Sequence, residues 1–484
     1  MGQQEYMRTI RRIEAEFPVE RWAIDGMAVW PLLRIHGLFD SRVVFPEPIR
    51  PGRLSRFVDR VRREAGSASA ALRSAWRTRT SPCRQAEALF LGDGVSYLRP
   101  SPGAAWHDRF CDPLREHLDG LGRRHVMLVP GLARHPLAQP AWFIHNHLRY
   151  ALLRAPAGPG RQDLPGFADV AAILEREHGW RPTTAWLGRH VRRISAYAWW
   201  YGRLLDRLRP RAVFLVSYYS NEGFALLHAA NRRGLATIDL QHGVQGEFHP
   251  AYASFAKTPD GGWDVLPRRF WVWSEAEARS IANWGGSWHG ADVVGNALLD
   301  CQLCQAPGGP RGDRPKVLLI TLQHGFDDAA YYRLLGEVIA ALPSDMAVWI
   351  RVHPVQMPGL ERIAAAFMAM APRCRVEAPS RSPLYGILAQ ASVHLTHSSS
   401  TVIEAAALGV PSLVFDALGA ALYHEHIAAG SATLATSPSE IVAQVSRLAA
   451  APRLGEDRTA AARRRSTLLR RLDEITRPLG CPSA

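Results

Sequence analysis

The chain has almost no lysine. Only Lys257 and Lys316 stand among its 58 basic residues, so a formal net charge of +14 is carried by arginine. Such a surface can attract anionic substrates or lipid, but no zinc-finger spacing or RNP-like motif accompanies it, and no nucleic-acid partner is expected. A run of about 18 apolar residues is missing, so no membrane span is expected. Glu5, Arg8, Arg11 and Arg12 leave no apolar signal core ahead of Phe17, which points to a cytoplasmic location. Cysteines number six and are scattered, as suits a reducing compartment. Cys301-x-x-Cys304 is the one pair at ligand spacing, and without a second pair it reads as incidental thiols. An Asp-x-Asp triplet is absent too, so metal-independent chemistry is expected, and no cofactor is implied.

What is present is length and periodicity. With 484 residues, 47% hydrophobic and 21% charged, the chain can bury two ordinary cores. Residues 1–85 read as a helical extension followed by a basic linker. Over 50–85, Leu54, Phe57, Val58 and Val61 lie opposite Arg56, Arg60 and Arg63, which fits either a solvated helix or one lying on a membrane surface. From residue 86 strands and helices alternate up to about 300. A Gly- and Pro-rich linker spans 301–314, a second alternating series runs over 315–452, and an arginine-rich helix and tail close 453–484. Alternation of this kind predicts parallel sheets. The fold class is therefore α/β, with two doubly wound Rossmann-like domains facing a cleft and ligands beyond the carboxyl ends of the strands.

The residues suited to chemistry gather at those strand ends. In the second domain, Arg351-Val352-His353-Pro354 ends one strand, and Thr396-His397-Ser398-Ser399-Ser400-Thr401 ends another and opens a helix carrying Glu404. Hydroxyls and backbone N–H groups at a helix start cradle phosphate oxygens, and His353 at a neighbouring strand mouth adds a donor. Glu404, one turn in, is placed to hold a ribose hydroxyl. The alternative is a plain N-cap beside a structural histidine. In the first domain, Asp239-Leu240-Gln241-His242-Gly243 is followed by Glu247, His249 and Tyr252. Close His, Glu and Asp residues can do acid–base work, or can simply order a loop. Gln323-His324-Gly325 repeats the tripeptide after the second domain's first strand. Gly92-Asp93-Gly94 ends strand 88–91 and reads as a turn or as a site for a base. Tyr218 and Tyr219 follow strand 212–217 and suit an acceptor pocket, unless Ser220 only caps a helix. Trp271 and Trp273 read as packing.

From about residue 86 to 450 the chain resembles GT-B-fold glycosyltransferases of bacterial surface-polysaccharide synthesis, capsule and O-antigen included. The resemblance rests on Gln241-His242-Gly243, Val294-Gly295-Asn296, Arg351-Val352-His353-Pro354, and Ser398-Ser399-Ser400-Thr401 with Glu404, Gly409 and Pro411. A narrower likeness is to bacterial sialyltransferases and Kdo transferases, which use CMP-linked acidic sugars. His353-Pro354 and Ser399-Ser400-Thr401 match two of the sialyltransferase motifs, while Gly92-Asp93-Gly94 matches a third only in part, Gly92 replacing an acid. The resemblance implies a nucleotide-sugar donor and a glycan or lipid-linked glycan acceptor; peripheral membrane contact would come from the 50–85 segment, which lies outside the resemblance. By the same analogy His353 contacts the donor phosphate and Asp93 deprotonates the acceptor, with His242 and Glu247 as further candidates for catalysis. His324, Gly325, Arg351 and His397 would join the donor site, and Gln241, Gly243, His249, Tyr218 and Tyr219 the acceptor side. The rival expectations are a CDP-polyol phosphotransferase of the teichoic-acid type, a nucleotide-sugar 2-epimerase, and a non-catalytic binding protein.

Overall fold

Strand–helix alternation yields two separate parallel sheets. The computed structural model describes residues 3–40, 85–94, 97–98, 105–131, 136–305, 316–323, 329–370, 374–378, 382–451 and 458–478. The basic stretch 50–84 and positions 306–315 of the expected linker lie outside these residues. The chain divides into two units, the first comprising 1–97, 108–297 and 466–484, the second 98–107 and 298–465.

In the first unit, helices α1 (Gln3–Glu16) and α2 (Trp30–Asp40) flank a hairpin of β1 (Ala23–Ile24) and β2 (Met27–Ala28). The helical spacing read over 4–40 breaks at Asp25 and Gly26, both at positive φ. Pro31 does not interrupt a helix: it is the second residue of α2. Its missing N–H would have no intrahelical partner there. Residues 3–40 do not stand apart: Tyr6, Ile10, Ile13, Trp22, Trp30 and Leu33 are buried in the first unit's core.

The first unit's main sheet is built from β3 (Ala88–Leu91), β6 (His125–Val129), β7 (Trp142–Phe143), β9 (Ala212–Val216), β10 (Ala236–Leu240), β11 (Arg269–Val272) and β12 (Gly290–Val293). The short β4 (Tyr97–Leu98) and β5 (His107–Asp108) pair with each other, and β8 (Gln162–Asp163) pairs with β1. The strand order is β12-β11-β10-β9-β3-β6-β7, parallel throughout. All residues of β3 and β9 are buried, because helices cover both faces and force a continuous apolar run. Phe90 stacks on Phe214 at 4.9 Å between ring centroids. The chain leaves β3 towards β6 and β7, then returns to the opposite side at β9, so the winding reverses between β3 and β9.

The second unit contains β13 (Val317–Thr321), β14 (Ala347–Arg351), β15 (Cys374–Glu377), β16 (Val393–Thr396), β17 (Ser412–Val414) and β18 (Ala432–Leu434). Their order is β15-β14-β13-β16-β17-β18, again parallel, and the winding reverses between β13 and β16. Both sheets are doubly wound and Rossmann-like, as the sequence pattern predicts. The helix Ala297–Gln305 takes up the first residues of the expected linker. The edge strands β15 and β18 are not legible as apolar runs, since Arg375 and Glu377 lie in one and Thr433 in the other. Charge and brevity are common on exposed sheet edges.

Candidate functional site

In the first unit the candidate side chains meet where the winding reverses, the usual place for a ligand in an open α/β sheet. Asp93 follows β3, Tyr218 and Tyr219 follow β9, and Gln241 and His242 follow β10. Ser217 has φ 56°, a left-handed conformation rare for a residue with a Cβ. This sharp corner sends Tyr218 inward, fully buried, where its O–H donates to the Ala251 carbonyl at 2.5 Å. Tyr218 is therefore a core residue and not a pocket lining. Gly223 sits so close behind the corner that a Cβ would lie 2.1 Å from the Tyr218 carbonyl oxygen.

Tyr219 stays at the rim. Burial, aided by Asp239, raises its phenol pKa, so its O–H is placed to donate to His242 Nε2, 3.1 Å away. Burial also drives the His242 imidazole down to about 4; the Asp93 carboxylate favours its protonation and Arg109 opposes it. His242 is thus neutral at physiological pH, with Asp93 close enough to act on it electrostatically. The ring of Phe110 stands edge-on to His242 at 6.3 Å. Beneath, Asp239 is fully buried and pushed up to about 8 by desolvation, against hydrogen bonds from the Tyr252 O–H at 2.9 Å and the Tyr218 N–H at 3.3 Å. Gln241 is committed to structure: its amide N–H groups reach the Gly243 carbonyl at 2.9 Å and Glu277 at 3.3 Å, and its carbonyl accepts the Trp273 N–H at 2.6 Å. A small cavity of about 20 Å³ opens beside this loop, lined by Phe110, Leu240, Gln241, Trp271, Trp273 and Gly295. The two tryptophans are buried, as expected, and also line it.

Two expected members of the site behave differently. Glu247 is exposed and faces Arg11 at 3.4 Å, so it is not brought to His242. His249 accepts the Ala251 N–H at 3.2 Å through Nδ1 and is held down to about 3 by burial. It orders its own turn as a neutral ring. Asp108, Arg109 and Phe110 are not among the residues singled out from the sequence; they stand just ahead of a helix. That helix starts at Asp112, and Asp108 closes a tight turn before it. An Asp three and four residues ahead of Cys111-Asp112-Pro113 is the pattern of such a turn.

In the second unit, His353 and the serine turn do not end adjacent strands, because β13 runs between β14 and β16. Arg351 is drawn sideways: its guanidinium donates to the Ser382 carbonyl at 2.8 Å and lies 3.8 Å from buried Glu377. His353 is half-buried, its N–H held by Gln356 Oε1 at 2.8 Å, and Gln356 reaches the Gln323 carbonyl at 3.2 Å. Pro354 opens a 3-10 turn, while His324 and Gly325 lie outside the described residues.

The serine turn is held largely by its own hydroxyls. Thr396 Oγ1 donates to the Thr321 carbonyl at 2.9 Å and accepts the Ser399 N–H at 3.3 Å; Ser399 Oγ accepts the Thr401 N–H at 3.3 Å. His397 lies 3.0 Å from Ser398 Oγ and 3.4 Å from Asp416, and burial lowers its pKa against that carboxylate. The Tyr423 O–H donates to the Ser398 carbonyl at 3.0 Å, and a Cβ on Gly419 would sit 2.2 Å from the His397 carbonyl oxygen. Ser400 remains half-buried at the mouth, whereas Glu404 is only 1% exposed.

His394 is a structural histidine between Thr321 Oγ1 at 2.8 Å and Ser412 Oγ at 3.0 Å, held to about 3 by burial. Its depressed folded pKa adds stability that is complete above the unfolded value near 6.5 and is lost as pH falls towards about 3. The second unit's unfolding constant is therefore expected to rise up to about tenfold per pH unit below about 6.5. A His394→Gln variant, less stable at neutral pH, should show a flatter profile by calorimetry; equal slopes would exclude this histidine as the source.

No protein-family model matches the chain, and no curated protein matches it. Solved structures do. One is a UDP-GlcNAc 2-epimerase from Methanocaldococcus jannaschii in complex with UDP-GlcNAc and UDP, at 13% identity and TM-score 0.49, covering 81% of this chain and 99% of that one. Another is MnaA of S. aureus with UDP, at 13% identity and TM-score 0.47, covering 79% and 90%. A third is the calicheamicin glycosyltransferase CalG4, at 17% identity and TM-score 0.41, covering 81% and 97%.

Proposed function

We propose that this chain is a glycosyltransferase that moves a sugar from a nucleotide-sugar to a hydroxyl of a glycan or lipid-linked glycan, in the building of a surface polysaccharide. The observation that carries the reading is the meeting of Asp93, His242 and Tyr219 from three strand ends at the winding reversal of the first unit. A half-buried carboxylate beside a neutral imidazole suits removal of a proton from an acceptor hydroxyl. The oxygen bonds to the anomeric carbon, the bond from that carbon to the donor phosphate breaks, and the proton passes to Asp93. His242, accepting the Tyr219 O–H, fixes the polar floor under the acceptor.

The second unit supplies groups for the leaving phosphate. Ser400, half-buried at the mouth of the turn, and half-buried His353 can donate to its oxygens without a metal. A CMP-linked acidic sugar is the first candidate donor.

The test is a thermal-shift screen with CMP-, CDP-, UDP- and GDP-sugars, since a ligand that binds only the folded state raises its stability. The donor found is then incubated with and without hydroxyl acceptors. Transfer requires the acceptor and is expected to fall by about 10²–10³ in His353→Ala, with the melting temperature kept. A product joined by a phosphodiester identifies a phosphotransferase instead. Interconversion of UDP-sugars without acceptor identifies an epimerase, and binding without turnover identifies a non-catalytic protein.

A further inference from the structure

Behind Asp93 lies a second carboxyl group that the proposed chemistry leaves unused. Asp108 is 2% exposed. Its Oδ1 accepts the N–H groups of Phe110 at 3.0 Å and Cys111 at 2.8 Å, which fixes the side chain. Its Oδ2 is buried and has no hydrogen-bond partner among the described residues. That oxygen points at the end of β3: a Cβ on Gly92, the residue before Asp93, would lie 3.1 Å from it. Without a Cβ, Gly92 makes room for Met127 Cε, which a Cβ would meet at 2.4 Å, and for this carboxyl oxygen.

Two further carboxyl groups, Asp93 and Asp112, oppose ionisation of Asp108. Asp112 accepts the Asp108 N–H at 2.8 Å through Oδ2. Arg115, the cation of the next helix turn, is engaged by Asp112 Oδ1 at 2.6 Å and the Pro140 carbonyl at 2.6 Å. Cys111, buried beside it, has its thiol pushed up, first by burial and then by Asp108. On the other side stand Asp93, His242, Arg109 and Tyr219.

A buried acceptor oxygen with no donor is costly, and taking up a proton turns it into a donor. We propose that Asp93 and Asp108 form an electrostatically coupled carboxyl pair in which Asp108 keeps a proton, so that Asp93 alone accepts the proton of the acceptor hydroxyl. The proposal rests on the transferase reading for the role of Asp93. Two carboxyl groups in unlike surroundings divide the labour of acid and base in this way. Burial raises Asp108 to about 7, with Asp93 the largest of the charges that raise it further. During transfer Asp108 neither gains nor loses its proton; the extra proton on Asp93 leaves to solvent with the product.

Infrared spectra collected across about pH 5 to 9 test the pair without any substrate, since a protonated carboxyl has a C=O band distinct from ionised carboxylate. Asp239, raised to about 8, adds a second such band, so the measurement is made in an Asp239→Asn background. A band titrating near neutrality is expected, absent in Asp108→Asn and moved down by about one pH unit, tenfold in ionisation constant, in Asp93→Asn. Its persistence in Asp108→Asn, or an unmoved midpoint in Asp93→Asn, overturns the pair. With the donor found by the thermal screen, the pH profile of kcat/KM should lose its near-neutral step in Asp108→Asn. Coupled carboxyl groups without transfer from any donor overturn the transferase reading alone, whereas transfer with uncoupled groups overturns the pair alone.

Discussion

Asp93→Asn is expected to lower kcat/KM for sugar transfer by about 10²–10⁴-fold, the usual contribution of a general base. The amide keeps the size and polarity of the side chain and removes its ability to take a proton. Asp93 is half-buried and follows the central strand β3, so the substitution need not disturb the core. It also removes the charge that favours protonation of His242, whose imidazole burial already holds near 4. His242 should then be a still weaker base and unable to compensate. The measurement is initial-rate kinetics with the donor that stabilises the protein most, over a range of pH. A loss smaller than about tenfold would move the base away from Asp93.

Arg34→Ala is expected to cost about 3–5 kcal/mol, the range for breaking one side of a buried ion pair. Arg34 and Glu14 meet at 2.7 Å with side chains 0% and 1% exposed. Glu14 Oε1 also accepts the Trp30 indole N–H at 2.9 Å, and its Oε2 the Ala256 N–H at 2.9 Å. The guanidinium donates to the carbonyls of Ala253 at 2.8 Å and Ser254 at 2.9 Å and lies over the Phe255 ring at 3.9 Å. Removing it strands a buried carboxylate and two carbonyls. Replacing both partners with apolar residues should cost less than Arg34→Ala alone, because no lone charge then remains. Urea unfolding followed by intrinsic fluorescence reads this, most tryptophans being in the first unit. An additive double variant would show that the pair contributes nothing as a pair.

The alternating apolar runs made both sheets legible, since buried parallel strand segments such as 88–91, 212–216 and 317–320 are apolar throughout. The two edge strands of the second sheet carried too little apolar pattern to be read. Residues 3–40 looked separate because their apolar spacing is helical, with nothing local to indicate which core receives it. Their partners lie 143 to 242 positions away, as with Trp22 and the Pro165 carbonyl or Glu14 and the Ala256 N–H. At the site, residues at strand ends were identified by position, whereas side-chain direction was not. Arg351 turns to Glu377, Tyr218 turns inward and Glu247 turns out to Arg11, each because a partner distant in sequence is waiting. Asp108 was hidden for the opposite reason: its turn resembles the start of the helix that follows it.

The long reach of Arg34 also sets a timetable for the ribosome. Ala253, whose carbonyl it binds, is 219 residues downstream, which at about 5–20 residues per second is roughly 10–45 s of synthesis. Through that interval Tyr6, Ile10, Trp22 and Trp30 have no finished core to enter, and the charged pair has no carbonyls or amide to complete it. The nascent chain is thus a client for chaperones that hold apolar segments, and slowing elongation before residue 253 should lengthen its exposure to aggregation.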